Sequence, residues 1–222
     1  MNKLKKIFYF ISYQAKVPIY EYIIKKRGGV FQSDGLLFNC ELHVTGHGHK
    51  IIIEKGVRLY NCIINISGNN NTLYIRKNSM ITEGGIIRIE DSYNTVDIKN
   101  NVMISNAFFS VADTKTSIQI GENSLISSNV IFRTSDSHSI LSQITNKRIN
   151  PGKDISIGKH CWIGYGVTIL KGTVIEDNSI IGTHSVVSGT KVPNNCCAVG
   201  IPAKVIKTNV YWVKERIRND EI

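Results

Sequence analysis

Three stretches of the chain hold residues whose types suit chemistry. The first is residues 133–154, RTSDSHSILSQITNKRINPGKD, which contains His138. A neutral imidazole working near its pKa is a natural general base, and such a base contributes about 10²–10⁴-fold. Asp136, two residues upstream, could hold that imidazole in one tautomer or bond to N–H groups of its own loop. The second is KHCWIG, where Trp162 takes the last place of a six-residue unit beside Ile163. The third is the tail segment AVGIPAK, where Pro202 fixes the backbone and Lys204, followed by Lys207, supplies positive charge for anionic groups. No Ser or Cys is paired with a His in a recognisable nucleophile motif, which argues against a covalent enzyme intermediate.

The elements that must position these residues are legible from a repeat. In residues 155–189 the side chains Ile157, Ile163, Ile169, Ile175, Ile181 and Val187 recur every six positions. Four residues after each of the first five come the small residues Cys161, Val167, Thr173, Ser179 and Ser185. A period of six fits neither a helix nor an alternating strand. It is the signature of a parallel β-helix of hexapeptide repeats, one short strand and one corner per unit. The expected fold is therefore an all-β solenoid, with one aliphatic side chain per strand pointing into a narrow triangular core. A wide indole does not fit that core, so Trp162 is expected on an outer face or at a corner. Upstream, Ile53, Ile75, Ile98 and Ile120 open four similar segments, IEKGVRLYN, IRKNSMITE, IKNNVMISN and IGENSLISS. Their wider spacing predicts coils with extra residues at a corner, where Gly, Asn and Asp cluster. Residues 133–154 interrupt the repeat, and a polar excursion between regular coils is where a functional loop is expected.

The expected organisation is a helical cap over 1–37, the solenoid over 38–192 with its loop at 133–154, and a tail with a short charged helix over 193–222. Residues 1–29 mix apolar and basic side chains, without a cleavage site or a stretch long enough to span a bilayer. They are expected to cap the solenoid as short amphipathic helices, with peripheral membrane contact as the alternative. The chain has 27 Lys and Arg against 17 Asp and Glu, a formal charge of +10, which points to an anionic partner. Nucleic acid has only that charge behind it, since no recognition module is present. The five cysteines, Cys40, Cys62, Cys161, Cys196 and Cys197, are odd in number and lack metal-ligand spacing. They read as reduced thiols of a cytoplasmic protein.

Taken together, the D-x-H loop, H-x-W-I-G, I-G-x-x-S-V-V and G-x-P-A-K resemble the hexapeptide-repeat acyltransferases. Among these the pattern is similar to the bacterial sugar O-acetyltransferases that modify capsule, sialic acid or lipopolysaccharide. The resemblance covers about residues 132–207; the N-terminal half matches only as fold. It implies a left-handed β-helix and transfer of acetyl from acetyl-CoA to a sugar hydroxyl of a surface polysaccharide. It further implies a homotrimer with each site between two subunits, and no metal. His138 matches the family's base, and Trp162 a tryptophan lining the acceptor or pantetheine channel. Gly164, Gly182, Thr183 and Ser188 fall on coils that bind pantetheine, with Lys191 a weaker candidate. Pro202, Lys204 and Lys207 would lie beside the coenzyme. Arg148 and Lys147 could meet its phosphates or an anionic acceptor. Family members more often carry Asn where Ile201 stands, so that contact is missing. Rival readings are a serine or amine acetyltransferase of the same fold, a non-catalytic glycan-binding solenoid, and a zinc hydratase using His138, His160 and His184. For the last, His160 and His184 are expected on different sides of the triangle.

Overall fold

The computed structural model describes residues 17–218. Strands stack in parallel into three sheets that form the faces of a triangular solenoid, with one antiparallel strand at the end of the second. Among the described residues the first has eight strands, the second nine and the third seven. The aliphatic repeat is the inner ladder. Ile53, Ile75, Ile98, Ile120, Ile157, Ile175 and Val192 pair in sequence up the first sheet. The 22–23-residue upstream repeat and the six-residue downstream repeat are therefore one continuous column. The six aliphatic residues Ile157 to Val187 are at most 2% exposed, and so are the small residues Cys161, Val167, Thr173, Ser179 and Ser185. Each fully buried aliphatic contributes about 1.5–3 kcal/mol, which is how strands of two or three residues hold together. Within the interior, Phe109 stacks on Phe132 with centroids 4.8 Å apart. Ile169→Val is expected to cost about 0.5–1.5 kcal/mol, measured by urea unfolding.

The corners are turned by left-handed residues, chiefly asparagine: Asn78, Asn101, Asn123 and Asn178 have φ of 60°, 57°, 59° and 59°. Asparagine tolerates that region because its short amide bonds locally. The corner between the third and first sheets is wider and is filled by a buried polar column. Asn71 N–H donates to His49 Nδ1, Asn94 N–H to Asn71 Oδ1, and Thr116 N–H to Asn94 Oδ1. Thr116 Oγ1 then lies 3.0 Å from Thr134 Oγ1. The column satisfies backbone groups that a wide corner would otherwise bury unpaired, and it ends at Thr134, where the long loop departs.

Strands already begin at Val30–Ser33 and continue to Cys196–Gly200, so the solenoid extends past both expected boundaries, 38 and 192. Helix α1, Val17–Lys26, covers its start. Ile24 is buried, and Tyr20 lies against Phe31 with centroids 6.1 Å apart. Gly28 ends the helix at φ +70°, the conformation a helix C-cap favours. The rest of the expected N-terminal cap, and its membrane contact, fall on residues 1–16, outside the described residues. No described helix is long and apolar enough to cross a membrane.

The tail departs from expectation. Residues 209–218 form no helix, and residues 219–222 lie outside the described residues. Instead Ala203–Thr208 turns back at Ile201-Pro202 and pairs antiparallel with Cys196–Gly200. A strand satisfies the open N–H and C=O groups of a sheet edge, which a helix would leave unpaired. Beyond it the chain crosses the second sheet, where Trp212 is buried.

Candidate active site

The loop is closed at its neck, where Lys153 N–H donates to Thr134 O at 3.0 Å and Asp154 Oδ1 accepts from Ser117 N–H at 2.7 Å. Within it, Leu141 and Arg148 pair antiparallel in a short hairpin, and Ile144 at the tip is 95% exposed. Asn150 ties the loop together. Its Oδ1 accepts from Ile140 N–H at 2.7 Å, and its Nδ2 donates to Asp136 Oδ2 and to the carbonyl of His138, both at 2.8 Å. His138 is thus fixed through its backbone, while its side chain is exposed and has no hydrogen-bond partner among the described residues.

Asp136 is bonded elsewhere than to the imidazole. Its Oδ2 accepts from Lys171 Nζ at 2.5 Å as well as from Asn150. Its partners are therefore side chains, neither the imidazole nor the loop N–H groups expected for it. Lys171 also donates to Asn150 O at 3.0 Å, which anchors the loop to the coil below. Arg148 is a correction as well. Rather than standing open for phosphates or acceptor, its guanidinium forks onto Asp113 at 3.0 and 2.7 Å. Asp113 Oδ2 accepts further from Gly152 N–H at 2.7 Å and Ser135 Oγ at 3.1 Å. Asn150, Asp113 and Lys171 are not among the site residues expected from the sequence.

These bonds hold two carboxyls below the ordinary range. Arg148 does so chiefly for Asp113, helped by Gly152 and Ser135; Lys171 and then Asn150 do so for Asp136. A carboxyl lowered by folding adds stability that is complete above its unfolded pKa, about 4, and is lost as pH falls through the folded value. Loop attachment is therefore expected to fail on acidification below about pH 4. Pepsin digestion across that range checks this, with cleavage near Leu141 expected before the solenoid melts.

The other expected residues lie elsewhere around the triangle. Trp162 is on the outer face of the second sheet, 40% exposed, between Leu125 and Ile180 in register. Its ring is 6.2 Å from that of Trp212, which stacks on His160 at 4.5 Å and donates from Nε1 to His160 O at 2.7 Å. Gly164, Gly182 and exposed Thr183 form the corner between the second and third sheets. Here the reason for glycine is packing. A Cβ on Gly164 would sit 2.8 Å from Ile181 O, and one on Gly182 2.5 Å from Val199 Cγ1, so a larger residue at either place would press on the next coil. Ser188 is exposed at the corner that also bears the loop. Lys191, on the first sheet, is paired with Glu176 at 2.7 Å. Pro202, Lys204 and Lys207 are exposed on the antiparallel tail. His160 and His184 take two different corners, His184 against Tyr165 and His160 against Asn178.

The loop with His138 leaves the vertex between the third and first sheets, and the face opposite that vertex is the second sheet, which bears Trp162. Within one copy the loop's vertex and the face of Trp162 are thus on opposite sides of the triangle.

A three-faced parallel solenoid with an exposed histidine on its interrupting loop defines the class. Residues 154–189 match the model of the bacterial transferase hexapeptide family, six repeats. The chain is similar to the polysialic acid-specific acetyltransferase NeuO, with 34% identity and a TM-score of 0.75 over 83% of this chain and 85% of that one. It also resembles the polysialic acid O-acetyltransferase OatWY, with 28% identity and a TM-score of 0.74 over 85% and 94%. The chain belongs to the hexapeptide-repeat acyltransferase family. Among curated sequences, the polysialic acid O-acetyltransferase of Escherichia coli O1:K1 is 38% identical over 77 residues, 35% of this chain. That match spans only 25% of the relative's length.

Proposed function

We propose that the protein is an acetyl-CoA-dependent O-acetyltransferase that acetylates a sugar hydroxyl of an anionic bacterial surface polysaccharide. The observation that carries this reading is His138, an exposed imidazole on a loop braced by Asn150, Asp113 and Lys171. The likeness to two polysialic acid acetyltransferases supports the acceptor class, and the +10 charge agrees with an acidic one.

In the proposed step, His138 removes the proton of the sugar hydroxyl as its oxygen attacks the acetyl carbonyl carbon. Backbone N–H groups stabilise the tetrahedral oxyanion. Collapse breaks the carbon–sulfur bond, and the proton on His138 passes to the leaving thiolate, giving the sugar ester and CoA. Gly164, Gly182, Thr183 and Ser188 offer backbone and small polar groups to pantetheine, and Pro202, Lys204 and Lys207 lie where its phosphates would find positive charge. Because His138 and Trp162 sit on a vertex and the face opposite, a site containing both needs a second copy. This favours the homotrimer that the family resemblance implies.

Direct transfer predicts that the protein incubated with acetyl-CoA alone keeps its intact mass. A stoichiometric gain of one acetyl group on the protein, chased off by glycan, would overturn the ternary-complex mechanism. The Trp162→Ala variant is expected to lose about ten- to a hundredfold in kcat/KM, as removing one large apolar contact of a few kcal/mol does.

A further inference from the structure

A groove of about 340 Å³ runs along the outer face of the second sheet, just N-terminal to Trp162. Its floor is the outward column Met80, Met103 and Leu125, which continues in register to Trp162. One edge is a ladder of corner amides: Asn78 Nδ2 donates to Asn101 Oδ1 at 3.4 Å, and Asn101 Nδ2 to Asn123 Oδ1 at 3.2 Å. Each such amide keeps a further N–H, repeated coil by coil at about 4.8 Å along the axis. The ladder stops at Asn123, because the next coil places His160 there and the tail lays Trp212 over it. Beyond Trp212, Lys214 reaches across the groove to 3.1 Å from Met103 Sδ. Among the described lining residues there is no carboxylate, and Lys214 and His160 are the ionisable ones.

We propose that this groove is a subsite for the non-reacting residues of an extended, carboxylate-bearing oligosaccharide; the inference rests on the reading above and commits it to a polymeric acceptor. An apolar floor takes the C–H faces of sugar rings, a row of amides serves hydroxyls and carboxylates, and one lysine supplies the charge. All three run along the solenoid axis, so successive sugars meet successive coils. The groove also ends beside Trp162, on the face where a neighbouring copy's His138 would have to act.

The test uses the full chain with oligosialic and oligogalacturonic acids, each as disaccharide and octasaccharide. Binding is read by tryptophan fluorescence without acetyl-CoA, and transfer with it. Lys214→Ala and Asn101→Leu are each expected to weaken octasaccharide binding about tenfold, the scale of one charge-assisted hydrogen bond. Disaccharide binding and acetyl-CoA affinity should stay unchanged, and Lys214→Arg should restore the octasaccharide. Equal losses for both lengths, no loss, a change in oligomer mass instead, or no binding of either acid by the wild type would each overturn the subsite. Transfer without dependence on length leaves the acetyltransferase reading standing and removes the subsite. Lys214-dependent binding of the octasaccharide with no acetyl transferred does the reverse.

Discussion

Replacing His138 with alanine is expected to lower acetyl transfer by about 10²–10⁴-fold while leaving the unfolding midpoint and acetyl-CoA affinity unchanged. The separation is possible because the imidazole is exposed and takes part in no bond that holds the loop; only the carbonyl of His138 does, and alanine keeps it. The effect should fall on kcat rather than on KM, since a base acts on the proton in flight and not on ground-state binding. The pH profile should lose its acid limb as well. Steady-state rates with and without the imidazole, read beside thermal melts, check this. A variant with wild-type turnover would remove His138 from the chemistry.

Asn150→Leu should produce a loss of similar direction by a different route. Its side chain accepts from Ile140 N–H and donates to Asp136 and to the carbonyl of His138, and it is largely buried. Leucine keeps the same branching and heavy-atom count but leaves those groups unpaired, each costing about 1–3 kcal/mol where water cannot reach. The expected result is a loop that opens locally while the solenoid beneath keeps its stability. Activity should fall by about 10²-fold, since small misplacements of a catalytic group cost that much. Protease cleavage in residues 135–152 should accelerate in parallel. The distinguishing readout is that Asn150→Leu loses loop protection, whereas His138→Ala does not.

The two residues also show what the sequence could and could not reveal. His138 was legible because it lies inside a visible break in a repeat, and the repeat itself registers as Ile53, Ile75, Ile98, Ile120, Ile157 and Ile175 in one column. Coil packing is local in period, so it leaves a mark in the chain. The loop's fastening is not periodic. Asp113 meets Arg148 across 35 residues, and Lys171 meets Asp136 across 35, so neither pair leaves a spacing signal. For the same reason Arg148 and Lys191 read as free cations, although each is committed to a carboxylate from another coil. The packing demand at Gly164 and Gly182, where a Cβ would press on the neighbouring coil, likewise leaves no mark of its own in the sequence. The tail misled in another way. The charged segment from Tyr211 suits a helix by composition, but its described part lies across the second sheet, held by Trp212, while the preceding Ala203–Thr208 pairs with the sheet edge.

The most direct test of the central claim is mass spectrometry of a glycan panel after incubation with the protein and acetyl-CoA. The panel should include polysialic acid, a polyuronic acid, a neutral polysaccharide and simple amines. The account predicts release of CoA with one base-labile ester gained per acetyl on an acidic glycan, and none on the amines. Acetylation of an amine in preference, or no CoA release with any glycan, would contradict it.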